Sequence, residues 1–244
     1  MKNRSQLKIL LLQIRDDQAV RKEEHQSFAR FSELSLNQIE ILNVFDTPSF
    51  SFSIADKYDA VYVGGASEAS VLEPEKYPFV PQLISFLEYL IEIKKPVFAS
   101  CFGFQLGVLA LDGTITHHPK DFEMGTYQIS LTDKAKDDVL LKHIPNNFWA
   151  ISVHQEKASE VPLTCDLLGY TKDSTHIFKV KNAPFWAFQF HPEVDKDVLI
   201  SRLRIYQEKY TDNGDHLEEV INSVVDTPES NRLPKIFIDE VLLV

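Results

Sequence analysis

Two cysteines in 244 residues are too few for a disulfide framework. Cys101 and Cys165 read as reduced thiols, and the chain as a cytoplasmic one. Positive charge is also short: 25 Lys and Arg against 36 Asp and Glu leave a net charge of −11. That excludes nucleic acid as an expected partner, since phosphate binding needs clustered Lys and Arg. No apolar run approaches the ~20 residues of a membrane-spanning helix, so no membrane partner is expected. The opening MKNRSQLKILLLQIRDD places basic residues ahead of apolar ones, as signal peptides do. Its apolar core Leu7–Leu12 is nevertheless interrupted by Lys8 and followed by Arg15, Asp16 and Asp17, with no small-residue cleavage site. It reads as a first buried strand. No repeat and no low-complexity linker divides the chain, which implies one domain over 1–210 with a C-terminal helical extension, 211–244, belonging to it.

Apolar residues make up 44% of the chain and charged ones 25%, the balance of a folded globular protein rather than a disordered one. Short apolar runs alternate with longer amphipathic ones. Strands are expected at Leu7–Gln13, Gln38–Val44, Asp59–Val63 and Pro96–Ser100, with helices at Ala19–Leu34 and Pro78–Lys94. Such alternation predicts an α/β fold with a mostly parallel central sheet and helices on both faces. From Gly113 to Phe190 the texture changes to short β-branched and aromatic segments: Thr114–His117, Tyr127–Leu131, Leu167–Tyr170, His176–Val180 and Phe185–Phe190. These predict extra antiparallel or edge strands. A helix is expected over Lys196–Tyr210, and the tail reads as one or two helices broken near Pro228 and Pro234.

Three stretches carry candidate chemistry. In PVFASCFGFQLG, residues 96–107, an apolar strand ends on Cys101, Phe102-Gly103 supply a turn, and Gln105–Leu111 begin a helix. A helix N-terminus stabilises a thiolate; alone, however, a cysteine after an apolar strand is more often a core residue than a nucleophile. In FWAFQFHPEV, residues 185–194, Pro192 stops a strand and leaves His191 at its end, with Glu193 two residues on and able to orient the imidazole. In VYVGGASEAS, residues 61–70, Gly64-Gly65 lets backbone N–H groups approach a ligand, as an oxyanion hole requires.

Together, Cys101-Phe-Gly-Phe-Gln105, the later Gln189-Phe-His191-Pro-Glu193 and the upstream Gly64-Gly65 resemble the class I (triad) glutamine amidotransferases. HQEKASEVP, residues 154–162, is similar to a segment of the glutaminase domain of GMP synthases, and Leu111-Asp-Gly113 followed by Glu123-x-Gly125 fits the same family. The resemblance spans roughly residues 7–205. It implies a flavodoxin-like fold and a triad in which Cys101 attacks the side-chain amide of glutamine, His191 moves the proton and Glu193 orients His191. It further implies an oxyanion hole from the N–H groups of Gly65 and Phe102, and substrate contacts from Gln105, Val153, His154 and Gln155. No cofactor is implied. The expected reaction passes through a γ-glutamyl thioester and yields glutamate, with ammonia passed to a separate synthetase partner. The alternatives are a stand-alone γ-glutamyl peptidase with the same triad, or a non-catalytic regulatory protein on this fold.

The chain departs from the family at three places. Ala99 stands where glycine is usual two residues before the cysteine. Gly-Gly-Ala-Ser-Glu replaces a proline-containing loop, which predicts a looser cover over the pocket. Gln155 replaces a glycine. No metal site is expected: His117 and His118 are adjacent in a strand and point to opposite faces. Cys165, Trp149 and Trp186 read as core packing, and Asp212–Glu219 as a solvated helix face.

Overall fold

The first strand sets the plan of the molecule. Ile9–Gln13 (β1) is buried at every position, with Leu10 and Leu12 entering one core layer and Ile9 and Leu11 the other. A strand apolar on both faces belongs inside a parallel sheet covered on both sides. In the computed structural model of the chain, residues 2–118, 122–206 and 215–244 are described. Helix α1 (Gln18–Ser32) follows, its first turn capped by the Asp17 carboxylate, which accepts from the N–H groups of Ala19 and Val20. Next come β2 (Ile39–Asn43), β3 (Ala60–Val63), α2 (Phe79–Glu92), β4 (Val97–Ser100) and α3 (Phe102–Leu109).

Downstream lie β5 (Thr116–His117), β6 (Glu123–Leu131), β7 (Asn147–His154), β8 (Glu156–Lys157), β9 (Cys165–Tyr170), β10 (Thr175–Val180) and β11 (Phe185–Phe188). The large sheet has the order β2-β1-β3-β4-β11-β10-β9-β6-β7. Its pairings from β2 to β11 are parallel and the rest antiparallel. β5 and β8 form a separate two-stranded ribbon. The expected α/β architecture with antiparallel additions is what the chain adopts.

Two strand expectations change. The segment expected over Phe185–Phe190 is not an edge strand: Phe185–Phe188 runs parallel to β4 in the middle of the sheet, and all four residues are buried. His191 therefore lies three residues beyond the strand's end, not directly at it. β7, for which the sequence predicts no strand, pairs with β6 along eight residues and forms the sheet's far edge. Trp149 sits on β7 and is 42% exposed rather than a packing anchor, whereas Trp186 is buried and donates its indole N–H to Asp138.

Helix α4 (Lys196–Ile205) ends earlier than expected, and 207–210 fall outside the described residues. The tail forms α5 (Asp215–Ser223), α6 (Pro228–Asn231), α7 (Leu233–Phe237) and a closing turn of π-helix, Ile238–Leu242. Pro228 and Pro234 open α6 and α7 instead of breaking a helix, since proline tolerates the first turn, where its missing N–H costs nothing. Of Asp212–Glu219, residues 212–214 lie outside the described residues; Glu218 and Glu219 are exposed and Leu217 is buried. Phe237 closes one core layer against Tyr62, Phe98 and Trp186.

Candidate active site

β4 ends at Ser100 and α3 begins at Phe102, so Cys101 makes the entire turn by itself. It does so at φ 51°, ψ −99°, a conformation L-residues rarely adopt. Its N–H donates to the Phe188 carbonyl at 2.7 Å, and its own carbonyl accepts from Gln105 N–H at 3.1 Å, pinning the turn between β11 and α3. The turn expected at Phe102-Gly103 is therefore made one residue earlier. Gly103 instead lets α3 lie against β3: a Cβ there would meet the Val63 carbonyl oxygen at 2.8 Å. The thiol sits at the helix N-terminus, where the first N–H groups have no partner within the helix. Ala99, two residues before the thiol, is fully buried between Val63 and Ala187 of the flanking strands.

His191 is placed by two ties. Its backbone N–H donates to the Ile151 carbonyl of β7 at 2.8 Å, and its Nδ1 lies 2.7 Å from Glu193 Oε1. The His-Pro-Glu turn is also held by Asn231, whose amide donates to the carbonyls of Pro192 and Val194. Gly65 brings the parts together. A Cβ added to it would lie 2.6 Å from His191 Cε1 and 3.4 Å from Cys101 Cβ, so the glycine backbone rests directly against both side chains.

Electrostatics favour a charged imidazole. Burial works to lower the His191 pKa, but the charge of Cys101, the Glu193 carboxylate and hydrogen bonds to both raise it to about 9. For Glu193, burial works upward and His191 works downward; the carboxyl ends below the ordinary range. Cys165, by contrast, is pushed up to about 11, chiefly by burial, as befits a core thiol.

A cavity of about 290 Å3 opens on Cys101, Phe102 and Gln105 from one side and on Val153, His154 and Gln155 from the other. Every expected site residue except His191, Glu193 and Gly65 lines it. Two expected substrate contacts are committed elsewhere. The Gln105 amide donates to the Glu156 carbonyl at 3.0 Å, tying α3 to β8. The His154 imidazole turns inward to Glu123, at 2.9 Å, leaving its backbone to the cavity. Val153 offers its carbonyl oxygen 3.9 Å from the Cys101 sulfur.

Glu123 also accepts from His176 at 3.0 Å and from the Thr171 hydroxyl at 3.0 Å. Burial would raise its pKa, but hydrogen bonds and charge from the two histidines hold it far below the usual carboxylate range. Glu123, His154 and His176 present ligand atoms within 4.8 Å of one another. Their 2.9 and 3.0 Å separations are those of N–H···O bonds, and among the described residues neither remaining Nδ1 has the hydrogen-bond partner that metal-bound imidazoles usually keep. Through His154 the trio ties the strand that carries the Val153–Gln155 wall to Glu123 of β6 and His176 of β10.

The loop over the cavity is not loose. Arg15 donates to the Ser67 hydroxyl at 2.9 Å. The Glu68 carboxylate accepts from Tyr206 and from the Ser67 N–H, and its backbone carbonyl accepts from Tyr77. Side chains from β1's end, α4's end and the start of α2 thus replace the missing proline. Arg15, Glu68, Tyr206 and His176 join the site without being expected from sequence. Only Arg15 carries a local signal, an arginine immediately after LLLQI.

The chain belongs to the glutamine amidotransferase class-I family: the family's sequence model matches residues 35–199. Within it, the chain is 28% identical over 174 residues to the glutamine-hydrolyzing GMP synthase of Thermosipho africanus, covering 68% of this chain but 31% of that protein. It therefore spans about a third of that relative's length. It is 22% identical to gamma-glutamyl peptidase 3 of Arabidopsis thaliana, over 80% of this chain and 78% of that one. In Ignicoccus hospitalis the similar protein is one subunit of a glutamine-hydrolyzing GMP synthase, 27% identical over 57% of this chain and 68% of its own length. The crystal structure of a glutamine amidotransferase from Thermotoga maritima shares the fold, with a TM-score of 0.76, 15% identity, and coverage of 96% and 98% of the two chains.

Proposed function

We propose that the protein cleaves γ-glutamyl amide bonds, glutamine first among them, with Cys101 as nucleophile, His191 as proton carrier and Glu193 as the group that orients His191. The observation that carries this reading is the convergence of Cys101, His191 and Gly65, with Cys101 opening on the pocket and Glu193 buried against the imidazole. Cys101 Sγ attacks the side-chain carbonyl carbon, and the carbonyl oxygen becomes an oxyanion facing the N–H groups of Gly65 and Phe102. As the C–N bond breaks, the imidazolium of His191 gives its proton to nitrogen, so ammonia leaves and a γ-glutamyl thioester remains. His191, now neutral, takes a proton from water; hydroxide adds to the thioester, and glutamate and the Cys101 thiolate are released. A thiolate paired with an imidazolium supplies both the strong nucleophile and the proton that a poor amine leaving group needs.

The GMP synthase relatives support handing the ammonia to a separate synthetase partner. A second reading, a γ-glutamyl peptidase acting alone, has one observation in its favour. The cavity wall carries Glu68, Glu73, Lys76 and Glu156, more charged groups than the one ammonium and one carboxylate of free glutamine use. The test is turnover of glutamine and of γ-glutamyl dipeptides by purified protein, read as glutamate, ammonia and free amine, with Cys101→Ala as control. Ammonia release from glutamine that rises when a cell extract is added supports a partner. Peptide cleavage without glutamine hydrolysis supports the second reading. Turnover of neither substrate overturns both, leaving the non-catalytic reading.

A further inference from the structure

Arg15 is 1% exposed and Glu24, its partner, is wholly buried. Arg15 Nε donates to Glu24 Oε1 at 2.9 Å and Nη1 donates to the Ser67 hydroxyl at 2.9 Å. Its Nη2 and Glu24 Oε2 have no hydrogen-bond partner among the described residues. Both glycines of the Gly64-Gly65 pair lie on this ion pair. A Cβ on Gly64 would meet the Glu24 carboxylate at 2.9–3.0 Å, and one on Gly65 would meet Arg15 Nη2 at 3.0 Å, beside His191. The guanidinium and the imidazole also border one small chamber lined by Ser67.

We propose that Arg15 is a positioning residue for amide cleavage: through its hydrogen bond to Ser67 and by packing against Gly65, its guanidinium holds the oxyanion loop at the distance from Cys101 and His191 that the reaction needs. This rests on the proposed triad chemistry. Arg15 lines no part of the substrate cavity. Planarity matters, because one guanidinium hydrogen-bonds Glu24 and Ser67 while its third nitrogen lies in the space a Gly65 side chain would take, which a lysine ammonium cannot do in the same geometry. Its charge also sits among carboxylates: burial opposes it, but Glu24, Glu68 and Glu193 all favour the cation. A fixed positive charge next to a loop that must present N–H groups to an oxyanion is a second consequence of the same placement.

Removing Arg15 alone would strand the buried Glu24 carboxylate and destabilise the fold, so the informative variant is Arg15→Met/Glu24→Gln, with Ser67→Ala beside it. Three readouts are taken on the full chain: kcat and KM for glutamine or a γ-glutamyl dipeptide, the rate of Cys101 alkylation by iodoacetamide, and hydrogen exchange of the amides of residues 64–70. The double variant is expected to lose about 100-fold in kcat, the scale of an ångström-level misplacement. KM stays within a few-fold, alkylation stays near the wild-type rate, and exchange over 64–70 rises at least tenfold. Ser67→Ala loses about tenfold in kcat, one hydrogen bond to a charged donor. A double variant with wild-type kcat, or one whose alkylation rate falls as far as its kcat, overturns the proposal. Wild-type protein that turns over no γ-glutamyl amide overturns the reading of the site instead, and the exchange measurement still decides against Arg15 if residues 64–70 are unchanged.

Discussion

His191 Nδ1 and Glu193 Oε1 lie 2.7 Å apart, with both side chains enclosed by protein. Because Nδ1 is engaged with the carboxylate, Nε2 is the nitrogen left for the proton transfer proposed at the thiol. Replacing Glu193 by glutamine keeps the shape and removes the charge that holds this tautomer. Turnover by Glu193→Gln is expected to fall by about 10²–10⁴-fold with KM little changed, the range seen when the orienting group of such a triad is neutralised. Steady-state kinetics on glutamine or a γ-glutamyl dipeptide checks it.

The same pair makes stability depend on pH with a definite sign. His191 is raised from 6.5 to about 9 in the folded protein, so the native state holds its proton more tightly than the unfolded chain does. Its contribution is fully present below about pH 6.5 and drains away as pH rises to about 9. Since the charge of Cys101 is the largest of the influences raising it, Cys101→Ala should shrink the loss. Melting temperatures of wild type and Cys101→Ala between pH 6 and 9.5 decide this; identical slopes would count against it.

Gly65 has no positive φ to protect. Alanine there is tolerable to the backbone and harmful only through the methyl group, which would press on His191 Cε1 at 2.6 Å. Gly65→Ala is expected to cost about 1–3 kcal/mol of stability, as overpacking does, yet about 100-fold in kcat from displacing the imidazole. Equilibrium unfolding set beside turnover separates the two effects.

Glu123 gathers three donors, His154, His176 and Thr171. Its carboxyl is depressed, so the stability it lends is present above the ordinary carboxylate range, about pH 4.3, and is lost as pH falls. Glu123→Gln should therefore flatten the acid limb of the stability curve. At neutral pH it should cost about 1–3 kcal/mol, the cost of leaving a buried donor poorly matched. It should also raise KM through the Val153–Gln155 wall. Urea unfolding at pH 4 and pH 7, with KM measured at pH 7, checks both.

Much of this architecture can be read from periodicity. β1, β3 and β4 are short runs buried on both faces, and α2 shows its apolar stripe at helical spacing. Those features depend on local pattern, which sequence displays. β7 is less legible: its burial alternates only in part and its one tryptophan faces outward, so no single periodicity dominates NFWAISVH. β11 resembles one more added strand because the partner that makes it parallel, β4, lies some ninety residues earlier. The site divides in the same way. Cys101, His191 and Glu193 stand out through family spacing, and Gly64-Gly65 through its dipeptide. Arg15, Glu68, Tyr206 and His176 act by reaching across the fold to partners 9–138 residues away. No local pattern encodes such meetings, which exist only once the sheet has assembled.

The most direct test of the central claim is modification of Cys101 by a glutamine-mimicking electrophile, followed by intact and peptide mass measurement. One adduct per chain is expected on the peptide containing Cys101, and none on Cys165. Glutamine or a γ-glutamyl dipeptide should slow the modification, and Cys101→Ala should lose both adduct and turnover. Turnover that survives Cys101→Ala, or a Cys101 that stays unmodified while Cys165 reacts, would contradict a nucleophilic Cys101.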